Sequence, residues 1–226
     1  MYTITNPFGA SHTKKARRIS MATNPMSQLT YGLFVLTANV DGKDNGCIIN
    51  TVGQVTATPN RITIAVNKAN YTHDMLMKNN LFTVSVISEK ADFSLFKRFG
   101  FASGRDTDKF SGFSAVKRTE NGTLAVTEGT NACLSGRIFH SIDLGTHTLF
   151  IAEVTEAVTL NDTPSATYAY YHANIKPKPE KVGETPKGET IWRCTICGYE
   201  YVGEELPEDF ICPLCKHPAS DFEKVT

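Results

Sequence analysis

Leu33-Phe-Val-Leu-Thr-Ala-Asn-Val40, then Asp41-Gly42, then Cys47-Ile-Ile-Asn-Thr-Val-Gly-Gln-Val-Thr-Ala57 and Arg61-Ile-Thr-Ile-Ala-Val-Asn67 read as strand, turn, strand and strand. The runs are rich in Val, Ile, Thr and Phe, whose branched or flat side chains fit a pleated surface. Asp41-Gly42 supplies the positive backbone angles of a tight hairpin, so the strands it joins should be antiparallel. Leu81–Ile87, Ala132–Ser141 and Thr146–Leu160 repeat the pattern, with Asp143-Leu144-Gly145 as a second hairpin connection. Only Thr72–Asn79 and Asp92–Phe99 read as helices, each opened by a capping-type residue, Thr72 or Asp92. Their apolar positions, Met75 and Leu76 in the first and Phe93, Leu95, Phe96 and Phe99 in the second, fit core packing. Many closely spaced strands with few helices predict a mainly β chain, an antiparallel closed or partly closed barrel rather than a doubly wound sheet. No Gly-x-Gly-x-x-Gly follows a strand, so a Rossmann-type dinucleotide site has no support.

With 226 residues and 41% hydrophobic content, the chain can bury one sizeable core and carry a small appended module. Basic and acidic residues balance at 23 each, so no net field favours nucleic acid or an anionic membrane. No run of about 18 apolar residues is present to span a bilayer. Lys14-Lys15-Ala16-Arg17-Arg18 is basic but is followed by no apolar signal-peptide core. Residues 1–25 read as an N-terminal arm, with a short helix around Lys14 to Met21. Cys47 and Cys133 stand alone in apolar, strand-like surroundings, which suits reduced core thiols and a cytoplasmic location. His12, His73, His140, His172 and His217 show no convergent ligand pattern. The barrel is expected over 26–172. Lys176-Pro-Lys-Pro-Glu180, Gly183, Pro186 and Gly188 then mark a linker at 173–189, extended at about 3.1 Å per residue.

The remaining segment, 190–226, carries Cys194-Thr-Ile-Cys197 and Cys212-Pro-Leu-Cys215. Each Cys-x2-Cys turn can supply two sulfurs to a tetrahedral metal while its backbone N–H groups point at them. Trp192, Tyr199, Tyr201, Phe210 and Phe222 surround these positions and can exclude water. Spacing alone leaves two metals open, a structural zinc that folds a domain too small to hold itself together, or an electron-carrying iron.

The fuller strings Trp192-Arg-Cys-Thr-Ile-Cys-Gly-Tyr-Glu-Tyr201, Leu206-Pro-Glu-Asp-Phe-Ile-Cys-Pro-Leu-Cys215 and Asp221-Phe222 resemble rubredoxin. That resemblance implies one iron on Cys194, Cys197, Cys212 and Cys215. The loop between the pairs is shorter than in free-standing rubredoxins and resembles the modules fused to other redox domains.

Rubredoxin-type iron passes one electron, whereas NADH and NADPH deliver two as hydride, so a flavin is the chemically coherent intermediary. Tyr31–Ala38, Asn45–Pro59, Ala65–His73, Gly104–Phe110 and His147–Val154, in that order, resemble the flavin reductase-like family with its FMN-binding split barrel. The resemblance implies flavin-ring contacts from Asn50, Thr51 and Thr56, although threonines also simply suit strands. Asn67, Lys68 and Asn70 precede the helix at Thr72, where a phosphate could rest on the helix N-terminus, with Lys68 adding charge and Thr72 a hydroxyl. Ordinary capping would account for the same residues. Arg105 and Lys109 fall in a loop the family places near the cofactor phosphate or the dimer contact, and solvated surface charge is the alternative. His147 matches a histidine that can approach flavin or nicotinamide in a catalytic role, or that merely completes a turn. Barrel, linker and module together resemble the high-molecular-weight rubredoxin family. What is implied is an NAD(P)H-dependent oxidoreductase, a homodimer, that passes electrons through FMN and Fe to a protein acceptor such as a flavodiiron oxygen or nitric oxide reductase. Reductive release of flavin or reduction of ferric chelates, and a zinc-bound docking module, are the alternatives.

Overall fold

A computed structural model of the chain describes residues 28–177, 190–195, 199–212 and 218–225. The N-terminal arm at 1–25 with its short helix, most of the expected linker, Cys197 and Cys215 lie outside the described residues. Contacts divide the chain into Met1–Thr30 and Tyr31–Thr226.

Nine strands are described between Tyr31 and Thr159: β1 (Phe34–Val40), β2 (Lys43–Ile49), β3 (Val52–Ala57), β4 (Asn60–Asn67), β5 (Leu81–Ile87), a short hairpin of β6 (Val116–Arg118) and β7 (Leu124–Val126), then the long β8 (Thr130–Asp143) and β9 (His147–Thr159). Seven of them form one antiparallel sheet in the order β2-β1-β5-β8-β9-β4-β3. β2 and β3 occupy opposite edges of that sheet, yet only Asn50 and Thr51 separate them in sequence. The three residue steps from Ile49 to Val52 span at most about 11 Å, so the edges must come together and the sheet must curl into a barrel. The crossing is pinned to β4, where the Thr51 hydroxyl donates to the Ala65 carbonyl at 2.6 Å and the Ala65 amide donates to the Thr51 carbonyl at 3.2 Å.

The strand expected over Cys47–Ala57 is therefore two strands, divided where the polar Asn50-Thr51 pair lets the chain change edges. Both hairpin turns form as read: Asp41 and Gly42 have φ of 52° and 79°, and Gly145 has φ of 83°.

Alternation along the strands sends Leu36, Ile62, Ile64, Val66, Phe82, Val84 and Phe150 into the barrel. Helix α1 (Tyr71–Lys78) adds Met75 and Leu76 to that core. A second apolar cluster covers the other face of β1, where Leu33 and Val35 meet Leu95, Phe96 and Phe99 of α2 (Phe93–Gly100). Asp92 caps α2, accepting from the Ser94 amide at 2.8 Å. Thr72 does not cap α1. Asn70 holds the N-cap position, without a side-chain bond, and Thr72, the second residue of the helix, is fully buried. The β6–β7 hairpin and a helical turn over Tyr168–Ile175 carry too few periodic residues to be read from sequence; that turn runs past the expected linker start at 173.

The C-terminal segment makes a separate three-stranded antiparallel sheet, β11-β10-β12, from β10 (Ile191–Cys194), β11 (Glu200–Val202) and β12 (Phe222–Lys224). No described helix is long and apolar enough to cross a membrane.

Gly136 of β8 lies directly opposite Phe82 of β5, and the Phe82 ring fills the space where a side chain would stand. A Cβ there would meet Phe82 Cζ at 2.5 Å, and Phe82 is completely buried. Gly136→Ala is therefore expected to destabilise the barrel by about 1–3 kcal/mol through overpacking, read as a lower urea midpoint at unchanged slope.

Candidate functional site

The loop before α1 is wound by its own polar groups. Asn67 Oδ1 accepts from the Ala69 amide at 2.9 Å, and the Asn67 carbonyl accepts from the Asn70 amide at 3.0 Å. These bonds aim the N-terminus of α1 at a cavity of about 450 Å³. Asn45, Cys47, Asn70, Thr72 and Lys109 line it from the barrel, Phe101 and Gly104 from the loop after α2, and Pro218 from the C-terminal module. Asn45 is 2% exposed, and its Nδ2 donates to the Thr72 hydroxyl at 2.9 Å. Gly104 fits against Asn45 so closely that a Cβ would fall 2.0 Å from Asn45 Oδ1.

Lys109 is no solvated surface charge. It is 4% exposed, and its Nζ donates to the carbonyls of Gly46 at 2.8 Å and Phe99 at 3.1 Å. Burial pulls its pKa down, because desolvation disfavours the ammonium. Burial pushes the neighbouring Cys47 thiol up, against opposing pulls from Thr72 and Lys109, so it is a neutral wall group rather than a thiolate. Arg105 does not line this cavity. Its guanidinium donates to Asp74 at 2.7 Å and lies over the Tyr71 ring at 5.3 Å. Partial burial raises the Asp74 carboxyl, but the Arg105 hydrogen bond and charge outweigh it and hold the group below its ordinary range.

A second group of expected residues gathers at the barrel rim. Asn67 pairs with His147 across β4 and β9, and the Lys68 amide donates to the Thr146 carbonyl at 3.0 Å. His147 Nδ1 lies 2.9 Å from the Thr146 hydroxyl, and Lys68 Nζ pairs with Asp143 at 2.7 Å. The Lys68 hydrogen bond holds Asp143 below the ordinary carboxylate range. Asn50 and Thr51 reach the same strand from the other side, since Thr51 bonds Ala65, just before Asn67. Thr56 stands apart, exposed, with its hydroxyl donating to the Pro59 carbonyl to close its own turn.

Sequence reading missed Asn45, Cys47, Phe101 and Pro218 as cavity residues. Asp44-Asn45-Gly46 carries an ordinary turn signature, and only the tertiary contacts with Thr72 and Gly104 show Asn45 to be a buried group. His73 was set aside, yet its Nε2 meets the Thr148 hydroxyl at 2.8 Å in the barrel wall, while its Nδ1 stands 3.6 Å from Asp74.

In the C-terminal module Cys194 and Cys212 are 1% and 0% exposed and share a cluster with Tyr199, Phe222 and the barrel's Phe101. The Cys194 amide donates to the Tyr199 carbonyl at 2.8 Å, holding the end of β10 against Tyr199. Phe210 packs on Tyr201 at 4.8 Å and on Phe222 at 5.4 Å. Cys194 and Cys212, clustered among aromatic rings, are two of the four thiolates that a tetrahedral thiophilic metal needs, and their chemistry fits iron. The cavity at α1 joins a helix N-terminus, a buried amide and a buried cation, which fits a phosphate-bearing polar ring system.

Residues 26–178 match the flavin reductase like domain, and residues 192–223 match the rubrerythrin, rubredoxin-like domain. A high molecular weight rubredoxin of Moorella thermoacetica is 35% identical over 91% of this chain and 100% of its own length. A ferric-chelate reductase (NAD(P)H) of Archaeoglobus fulgidus is 34% identical over 73% of this chain and 94% of its own length. Among solved structures, an NADH:FAD oxidoreductase of Streptomyces globisporus shares the barrel fold at a TM-score of 0.57 and 22% identity, covering 63% of this chain and 83% of that one.

Gly104→Ala is expected to push Asn45 off Thr72 and leave the buried Asn45 amide without that acceptor, costing about 1–3 kcal/mol. Chemical denaturation measures the loss, and a stability equal to the parent's would mean the loop moves aside freely.

Proposed function

The chain belongs to the flavin reductase-like family and carries a rubredoxin-like domain, and on that footing we propose an NAD(P)H-dependent electron carrier with FMN in the barrel and one iron on Cys194, Cys197, Cys212 and Cys215. The observation that carries this reading is the buried pair Cys194 and Cys212, enclosed by aromatic rings, in the same chain as that barrel. FMN when bound accepts a hydride and returns its electrons singly, which a one-electron iron requires.

The chain's own residues divide the labour of binding. Amides at the α1 N-terminus, with Asn70 at the N-cap, receive the phosphate, and Lys68 adds a partly exposed charge. Lys68 would have to leave Asp143 to reach a bound phosphate, and that pair is exposed enough to be weak. Thr72 is held by Asn45 and presents the first turn of the helix in one position. Asn50 and Thr51 offer an amide, hydroxyl and backbone at the crossover for the ring edge, and Asn67 borders them. Lys109 ties Gly46 to Phe99 and fixes the cavity floor. His147, oriented by Thr146, stands at the rim where nicotinamide would approach. Arg105 steadies α1 through Asp74, and Thr56 shapes the β3–β4 turn.

Exposed Val55, Phe139, Ile142 and Leu144, on β3, β8 and the β8–β9 turn, support a subunit interface, and so a homodimer. A reduced, cytoplasmic setting suits the isolated buried thiols Cys47 and Cys133. The acceptor is a redox protein, and a flavodiiron oxygen or nitric oxide reductase has the matching one-electron demand. The likeness to a ferric-chelate reductase favours a second reading, in which the barrel alone reduces ferric chelates. Cys212→Ala separates the two: it should abolish the ferric-thiolate absorption and acceptor reduction while NADH still bleaches the flavin anaerobically. Undiminished acceptor reduction would favour the second reading, and a metal-replete parent without that absorption would point to zinc.

Two substitutions with opposite signs test the phosphate site. Lys68→Ala should weaken FMN retention about fivefold, whereas Asp143→Asn, by releasing Lys68, should strengthen it by a comparable factor. Equilibrium dialysis at low salt reads both, and equal affinities in the three proteins would remove Lys68 from the site.

A further inference from the structure

The residue after α2 is a phenylalanine that touches both halves of the proposed electron path. Phe101 is the C-cap of α2, and its amide still donates to the Lys97 carbonyl at 3.3 Å. Behind it, Gly100 packs against Ile48, where an added Cβ would stand 3.3 Å from a side-chain carbon, so the turn hugs β2 and its ring must project outward. Phe93 flanks that ring at 5.8 Å between centroids. On one side Phe101 lines the cavity that also holds Asn70, Thr72 and Lys109. On the other it joins the cluster of Cys194, Cys212, Tyr199 and Phe222. A second contact is independent of the first: Pro218 of the module lines the same cavity wall.

We propose that the turn at Phe101 is the docking surface on which the C-terminal module receives electrons, so that the flavin cavity and the thiolate centre share one wall. The inference rests on the electron-carrier reading and adds to it where the transfer occurs. Electron transfer slows steeply with every ångström of gap, and a half-buried aromatic ring in contact with both sites leaves no solvent layer between them. The balance is one NADH and two ferric centres giving NAD⁺, one proton and two ferrous centres. Two handovers at Phe101 thus follow each hydride, with the protein acceptor emptying the iron between them.

The experiment uses Trp192, the chain's one tryptophan, which sits on β10 inside the module. Time-resolved fluorescence anisotropy of the full chain, with zinc at the cysteines to avoid quenching, reports whether the module tumbles with the barrel. Stopped-flow mixing of the iron- and flavin-loaded chain with NADH reports the rate of iron reduction relative to flavin bleaching in the same trace. Phe101→Asp is expected to introduce a fast-tumbling component and to lower that ratio at least about tenfold, the loss of one central aromatic anchor. Pro218→Asp, on the opposite side of the contact, should do the same if the first variant folds poorly. Parent-like anisotropy and an unchanged ratio in both variants would overturn the docking surface. Altered anisotropy in a chain whose parent never reduces its iron would leave the docking intact and refute the electron-carrier reading instead.

Discussion

The two residues Asn50 and Thr51 decide the architecture. A chain that leaves one edge of a seven-stranded sheet and enters the other after so short a crossing has no open-sheet solution. Closure buries one face of the central strands and brings the two edges, otherwise a liability, toward each other. It also brings the start of α1, the β8–β9 rim and the crossover itself toward one strand, β4, whose Ala65 and Asn67 meet Thr51 and His147. Thr51, Asn67, Lys68 and His147 are scattered in sequence but meet at this strand because the sheet closes there.

Polar groups at the site fall into two regimes that differ in what water does to them. Lys68 and Asp143 meet at 2.7 Å with much of both side chains in solvent, so their attraction is screened and easily exchanged for a ligand. Lys109 is enclosed and bonded to two backbone carbonyls, so moving it would leave both carbonyls and the ammonium unsatisfied. The exchangeable cation suits ligand capture, and the enclosed one suits holding the cavity's shape. Asn45 and Thr72 belong with the second kind, since their bond is buried at both ends.

The C-terminal module obeys a different constraint. A three-stranded sheet of short strands cannot bury enough apolar surface to stand alone. Its cohesion comes from rings around the sulfurs, Tyr199, Tyr201, Phe210 and Phe222, and from the metal that such a sulfur set binds. The same rings that stabilise the module keep water from the centre, so folding and redox tuning depend on one set of contacts.

Much of the fold was legible in the chain itself. Strand composition, Asp41-Gly42 and Asp143-Leu144-Gly145 specify antiparallel hairpins because turn geometry and pleat alternation are local properties. Asp92 marks the start of α2 for the same reason, and the Cys-x2-Cys spacing points to a metal site because such ligand turns are local. Local chemistry could not say that Cys47–Ala57 would break at Asn50, since the break is a demand of closure on residues that propensity alone leaves extended. Nor could it tell that Thr72 would face inward to Asn45 instead of capping its helix, that Lys109 would be buried, or that Phe101 would lie against Cys194 and Cys212. Each of those depends on partners distant in sequence, and which side chain loses its water is fixed only when the barrel closes and the module packs against it.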